Sequence, residues 1–279
     1  MRFTKMHGAG NDYVYVDLFE ESVEDAPALA RAVSDRHKGV GADGLILLRP
    51  ARGADVAMEM YNADGSRAEM CGNGIRCLAK LAWERGRARQ NPLRVATDGG
   101  VRSVALLLEG DVVTGGRVDM GVPALAPAAI PARFPGPRVL EEPIEAGGLR
   151  LRVTCVSMGN PHAVVFVEDV AAFDVARVGP LLERHEAFPR RTNVAFAQVL
   201  ARDRVRQRTW ERGSGETQAC GTGACAVCVA GVLTGRTASP LRCQLPGGEL
   251  LLEWDGQGAV AMTGPAVEVF SGDWPARGV

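Results

Sequence analysis

The chain has 279 residues, of which 46% are hydrophobic and 23% charged, and its formal net charge is −1. That length suits one large domain or two of about 130 residues, each able to bury a core. The balanced charge excludes a basic nucleic-acid surface or an acidic tail, and no apolar run reaches signal or membrane-spanning length, so a cytoplasmic protein with no nucleic-acid or membrane partner is expected.

In chain order the patterning predicts a strand over Asp12 to Leu18 and a helix over Pro27 to Asp35. Strands follow at Leu45 to Leu48 and Val56 to Tyr61, then a helix at about Gly74 to Arg85 and a strand at Val101 to Leu108. In the helix, Ile75, Leu78, Leu81 and Ala82 form one apolar face, with Arg76 and Lys80 outside it. A proline-rich stretch from Pro123 to Pro143 is expected to cover a junction. Beyond it come strands at Arg150 to Val156 and Ala163 to Val167, a helix at Asp174 to Arg184 and a strand at Thr192 to Val199. A helix at about Gly223 to Leu233 and strands at Glu249 to Trp254 and Ala259 to Thr263 complete the set. This is an α+β pattern with one central helix in each half.

The halves are related. Cys71-Gly72-Asn73-Gly74 and Cys220-Gly221-Thr222-Gly223 open with the same phrase 149 positions apart, and the offset recurs. It places Gly10-Asn11 on Gly159-Asn160, Gly86-Arg87 on Gly235-Arg236, and Thr114-Gly115 on Thr263-Gly264. An internal duplication that kept a thiol beside a glycine turn implies two thiols related by a pseudo-twofold axis. Such a pair can move a proton from one face of a carbon to the other. A turn alone would need the glycines and not the sulfur.

The chemistry follows from the turn. Glycines let backbone approach a ligand, and a helix starting there offers free N–H groups and a positive dipole end to an anion. The same field is expected to lower the pKa of the adjoining thiol. One thiolate takes the α-proton of an amino acid and the opposite thiol returns one on the other face. The donors meanwhile stabilise the charge loaded onto the carboxylate. The other cysteines, Cys77, Cys155, Cys225, Cys228 and Cys243, read as core residues. The Cys225-x-x-Cys228 gap resembles a zinc ligand pair, yet it lies in a segment apolar almost all round, so no metal is expected.

The stretches Lys5 to Asp12, Tyr61 to Ser66, Met70 to Arg76, Gly159 to His162, Arg191 to Val194, Trp210 to Gly213, Ala219 to Gly223 and Thr263 to Ala266 together resemble the diaminopimelate epimerase family. These are cofactor-independent enzymes that interconvert LL- and meso-diaminopimelate for lysine and peptidoglycan synthesis. The resemblance implies two pseudo-symmetric lobes, each a mixed β-sheet wrapped around a central helix. The first lobe would be residues 1–118 completed by 265–279, and the second 119–264. The active site would lie in the cleft between them and close over substrate. A homodimer with no cofactor is implied.

The resemblance also implies roles. Cys71 and Cys220 are the acid/base pair, supported by His162 and Glu211. Backbone at Gly72, Asn73, Gly221 and Thr222 holds the reacting carboxylate. Asn62, Asn160, Asn193 and Arg212 grip the distal carboxylate, Glu211 and Asn62 lie near the distal ammonium, and Asn11 lines the pocket. Chemically the set suits a substrate with an amino-acid group at each end: Arg212 can clamp a carboxylate bidentately and Glu211 can pair an ammonium. One position departs. Gly44, opposite Asn193 in the repeat, stands where many relatives carry Gln. The nearest rivals are proline racemase and hydroxyproline epimerase, whose substrates give Asn62, Asn193, Glu211 and Arg212 no task. A thiol redox switch using Cys71 and Cys220 is a third reading, and a pyridoxal phosphate racemase finds no lysine context here.

Overall fold

The computed structural model of the chain describes residues 1–275. Two compact units divide it: Met1–Asp119 with the segment from Thr263 onward, and Met120–Met262. Of the closing stretch 265–279, residues 276–279 lie outside the described residues.

The first unit opens with β1 (Arg2–Gly8) and β2 (Asn11–Asp17), followed by α1 (Ala26–Ser34). Next come β3 (Gly44–Arg49), β4 (Val56–Asn62), the short β5 (Arg67–Ala68) and α2 (Gly72–Glu84). The strands β6 (Leu93–Thr97), β7 (Gly100–Glu109) and β8 (Val112–Asp119) end this part. The second unit holds β9 (Glu142–Ala146), β10 (Leu149–Ser157), β11 (Pro161–Phe166), α3 (Val175–Glu183), β12 (Asn193–Ala201) and β13 (Arg204–Glu211). It continues with β14 (Gly215–Thr217), α4 (Gly221–Leu233), β15 (Leu241–Leu245) and β16 (Gly248–Glu253). The strands β17 (Ala261–Pro265) and β18 (Val267–Asp273) return the chain to the first unit.

In the first unit β1, β2, β3, β4, β6, β7 and β8 lie side by side; the β2–β3 and β4–β6 pairs are parallel and the others antiparallel. β8 pairs with β17, and β18 pairs with β1, so the mixed sheet closes around α2. That helix touches nearly every strand of the ring, and α1 packs outside against β2, β3 and β4. The sequence of β3 explains its place. Leu45 and Leu47 face α1 with Val14 and Val16, while Ile46 and Leu48 are buried on the other face. A strand covered on both sides reads as a continuous apolar run rather than an alternation.

The second unit repeats the plan, with β11–β12 and β13–β15 parallel, the remaining pairs antiparallel, α4 against β10, β11, β12 and β16, and α3 on the opposite face. Both α1 and α2 map onto α3 and α4 end to end at 149 positions. Asp25 caps Ala28 N–H at the start of α1 and Asp174 caps Arg177 N–H at the start of α3, the same residue at the same offset. One slip occurs. Val56 pairs with Val95, whereas Val205 pairs with Cys243, so the second copy is one residue shorter between its central helix and the following strand. The Pro123 to Pro143 stretch lies within the second unit and contains a short 3-10 turn at Pro127–Ala129.

Two expectations need correction. Both central helices start two residues earlier than the patterning places them, at Gly72 and Gly221. Arg76 and Lys80, expected outside the apolar face of α2, are buried, because the closed sheet leaves that helix no solvent side. Lys80 Nζ survives there by donating to Val113 O and pairing with Glu84.

Candidate active site

Each cysteine occupies the same structural point in its own unit. Cys71 is the N-cap of α2 (φ −129°, ψ 123°) and Cys220 the N-cap of α4 (φ −114°, ψ 102°), both extended where the helix begins. Gly72, Asn73, Gly221 and Thr222 form the opening turns. Their N–H groups belong to the set that a helix cannot satisfy internally, which suits them to a carboxylate. The glycine at the fourth place of each phrase has a steric cause. A Cβ at Gly74 would stand 2.6 Å from Ile46 Cδ1, and one at Gly223 would stand 3.2 Å from Cys220 Sγ and 3.1 Å from Gln207 Nε2, tighter than ordinary contact.

In the first unit the partly exposed Cys71 donates its S–H to Asn11 Oδ1 at 3.2 Å, and Gly74 N–H donates to its sulfur at 3.4 Å. Asn73 Nδ2 reaches the same Asn11 oxygen at 3.3 Å, and Arg76 Nη2 holds Asn73 Oδ1 at 2.8 Å. Burial pushes the Cys71 thiol above its ordinary value, against the pull of the Gly74 and Asn73 N–H groups and the Arg76 charge. The helix-start field therefore does not win at this thiol, contrary to expectation. Asn62 is exposed at the end of β4, giving its Nδ2 to Ser66 Oγ at 2.9 Å. The structure brings Cys71, Asn11 and Asn73 together through hydrogen bonds, and Asn62 stands across the ladder from Gly44, the residue after Asp43.

Gly44 faces Asn62 across the β3–β4 ladder. A Cβ there would lie 2.1 Å from Tyr61 O and 3.1 Å from the Tyr13 ring. A side chain at this position therefore meets the backbone of β4. Gly44→Ala is expected to destabilise the protein by about 2 kcal/mol, the usual cost of overpacking a core. Urea unfolding checks this, and equal midpoints for the two proteins would refute it.

In the second unit Cys220 is buried, its sulfur 3.6 Å from Thr222 Oγ1. Asn160 Nδ2 lies 3.3 Å from Thr222 Oγ1, and its Oδ1 lies 3.0 Å from His162 Nε2. His162 Nδ1 is buried with no hydrogen-bond partner among the described residues. Asn193 is buried and already committed. It accepts Arg212 N–H and donates to Pro161 O, each at 2.9 Å. The Arg212 side chain is exposed, with Nη1 3.2 Å from Arg190 O, and Glu211 accepts from Thr217 Oγ1 at 2.6 Å.

Burial, aided by the Arg212 charge, pushes the His162 pKa down to about 3. The ring is therefore neutral at physiological pH. Its native pKa lies below the unfolded value of about 6.5, so as pH falls the unfolded chain takes up a proton that the native chain refuses. Stability must fall between pH 7 and pH 5, by about 2 kcal/mol from this group. His162→Gln should lose less stability over that interval than the parent by about this amount. Identical pH slopes in urea unfolding would contradict the assignment.

The repeat offset also exposes residues that the sequence reading leaves unmarked. Asn11 and Asn160 are equivalent, as are Asn73 and Thr222. Tyr13 stands where the second copy has His162, and Asp43 where it has Thr192. Tyr13 is buried, with its hydroxyl 3.5 Å from Asn11 Nδ2, and Asp43 Oδ2 accepts from Asn11 Nδ2 at 2.7 Å. Laying the two copies over each other would have found both. Burial makes four of the remaining thiols poor bases: it pushes Cys77 up to about 11, Cys228 up to about 12, and Cys155 and Cys243 well upward.

Comparison with known proteins adds an independent line. The profile of the family described as diaminopimelate epimerase matches residues 3–126 and 154–269. The diaminopimelate epimerase of Pelotomaculum thermopropionicum is 54% identical over 279 residues, covering 99% of this chain and 100% of that protein. That of Desulforudis audaxviator is 55% identical over 276 residues, covering 98% and 99%. Among solved structures, a probable proline racemase from Agrobacterium radiobacter superposes with a TM-score of 0.73 at 16% identity, covering 99% of this chain and 93% of that one, a likeness of fold.

Proposed function

The chain belongs to the diaminopimelate epimerase family, and from that premise we propose that Cys71 and Cys220 are the acid and base that interconvert its LL and meso substrates. It is an isomerase of amino-acid biosynthesis. The observation that carries the assignment of the two thiols is their repetition. Each caps the first turn of the helix enclosed by its own unit, at equivalent positions of a duplicated fold.

On this reading one cysteine acts as thiolate and removes the α-hydrogen, leaving the carbon–hydrogen electron pair on the substrate. The other gives up its S–H proton to the opposite face of the same carbon. The roles exchange in the reverse direction. N–H groups of Gly72, Asn73, Gly221 and Thr222 receive the negative charge that develops on the adjacent carboxylate. The exposed Arg212 guanidinium donates to Arg190 O and, among the described residues, is paired with no carboxylate, so it can grip the distal carboxylate. Asn193 holds the Arg212 backbone in place for that task. Asn62, Asn160 and Glu211 complete recognition of the distal end, with His162 as a neutral support for Asn160. A substrate lacking that end would leave polar groups unpaired.

Incubation with LL-diaminopimelate in D₂O tests the reading: the meso isomer must appear with deuterium at the inverted centre. Exchange into proline or hydroxyproline, and none into diaminopimelate, would transfer the assignment to the neighbouring racemases.

The proposal includes a cytoplasmic setting, where reducing conditions keep both thiols free, and a homodimer. Val267, Val269 and Phe270 on β18 and Leu107, Leu108 and Val112 at the β7–β8 end are exposed, an apolar load that suits a second copy. Phe270→Glu is expected to halve the mass measured by sedimentation equilibrium. A parent that already sediments as a monomer would end the dimer proposal.

A further inference from the structure

Behind Cys71 stands a set of four charges. Asp43 Oδ1 pairs with Arg36 Nη2 at 2.9 Å, and Arg36 also pairs with Asp12, which in turn binds Lys5. The second oxygen of Asp43 accepts two hydrogen bonds, from Asn11 Nδ2 at 2.7 Å and from Asp12 N–H at 3.1 Å. With donors on both oxygens, Asp43 is held as a carboxylate, although its burial and the nearby Asp12 charge place it above the ordinary carboxylate value.

A carboxylate accepts and cannot donate, so it fixes which way round the Asn11 amide sits. The NH₂ group must point at Asp43, and the amide oxygen must therefore face Cys71 Sγ at 3.2 Å. An acceptor in that place stabilises S–H and opposes S⁻. The other groups at Cys71 are the Gly74 and Asn73 N–H groups, the Arg76 charge and the Tyr13 hydroxyl, which favour the anion, and burial outweighs them. The second copy is built differently. Its counterpart of Asp43 is the buried Thr192, whose hydroxyl donates to Asn193 O at 3.1 Å. Its counterpart of Asn11 is Asn160, which sends its NH₂ group toward Thr222 and its oxygen toward His162.

We propose that Asp43, acting through Asn11, is a positioning residue that holds Cys71 in its thiol form in the free enzyme, so that this form is ready for the direction of reaction in which Cys220 is the base and Cys71 the proton donor. The inference rests on the two-thiol reading above. In the donation the S–H bond breaks, its electron pair stays on sulfur, and the proton passes to the carbon that has lost its hydrogen to the other thiolate. The duplicated site is thereby electrically unequal, and the inequality originates at Asp43, one hydrogen bond behind the pocket-lining Asn11.

The test is a pH titration of Cys71 alkylation by iodoacetamide in the full chain carrying Cys220→Ser, followed by mass spectrometry of the Cys71 peptide. Asp43→Asn is expected to lower the alkylation midpoint by about one pH unit, a tenfold rise in thiolate fraction below the midpoint. Asn11→Ala should lower it likewise, and Asp43→Asn added to Asn11→Ala should do nothing more. An unchanged midpoint in Asp43→Asn overturns the proposal. So does a shift that persists in full without Asn11, since Asp43 would then act by charge alone. If Asp43→Asn fails to fold, an unmoved midpoint in Asn11→Ala overturns it equally. The titration reads the thiol whether or not diaminopimelate turns over, so its failure and a failed isotope test are separate results.

Discussion

Cys71→Ala and Cys220→Ala are each expected to reduce epimerisation of LL-diaminopimelate by at least about a thousandfold, within the range that positioned acid–base groups contribute. Inversion needs both events, removal of a proton and delivery of another, so loss of either thiol stops net turnover. Asn11 and Asn73 beside Cys71, and Thr222 beside Cys220, are not bases at neutral pH. Folding should survive both changes, because alanine removes one small sulfur and leaves each central helix its backbone start. Circular dichroism and urea unfolding provide that control. Deuterium at the inverted centre in the parent, absent from both variants, is the predicted pattern. Inversion retained within tenfold in either folded variant would remove that cysteine from the mechanism.

The largest stability effect is expected at Arg76. This side chain is fully buried, with Nε 3.2 Å from Pro265 O, Nη1 3.1 Å from Gly72 O and Nη2 2.8 Å from Asn73 Oδ1. It therefore ties the first turn of α2 to β17, the segment through which the chain re-enters the first unit. Arg76→Met keeps the length and apolar stem but strips donors from three acceptors in a dry interior. Unsatisfied buried acceptors cost about 1–3 kcal/mol each, and the relief of burying no charge offsets part of that. A net loss of about 3 kcal/mol is expected, or roughly 10 °C in melting temperature for a chain of this size. Arg76→Lys should recover little, because an ammonium cannot reproduce the planar fork. A melting temperature for Arg76→Met within about 2 °C of the parent would show that these bonds contribute nothing net. Activity should fall as well, since Asn73 loses one of the two partners that hold its amide.

Much of this protein was legible in its residues. The paired Cys-Gly-x-Gly phrases and their constant offset marked two equivalent helix starts, because a turn of that kind depends on a few adjacent residues. The apolar runs of β3 and α4 declared burial on all sides. Other elements were silent for reasons that are tertiary. β8, with Gly115 and Gly116 in its middle, is a poor strand by composition. Yet a Cβ at Gly115 would lie 2.4 Å from Gly264 O, so the glycine is there to admit β17. β13 alternates Arg204, Arg206 and Arg208 with inward Val205, Gln207 and Thr209, and two of those inward residues are polar, which hides the period.

The same division holds at the site. The repeated spacing named the two thiols, and the family resemblance named the asparagines around them. The sequence reading placed Arg76 outside the apolar face of its helix and assigned both thiols the lowered pKa of a helix start. Closure of the sheet around α2 reversed the first, since a helix inside a ring has no solvent side. Burial outweighed the helix field at Cys71 and reversed the second. The partnership of Asp43 with Asn11 joins residues 32 positions apart, and only pairing of β2 with its neighbours brings them within one hydrogen bond. Local pattern fixes which groups are present; the desolvation and orientation that tune them are properties of the packed fold.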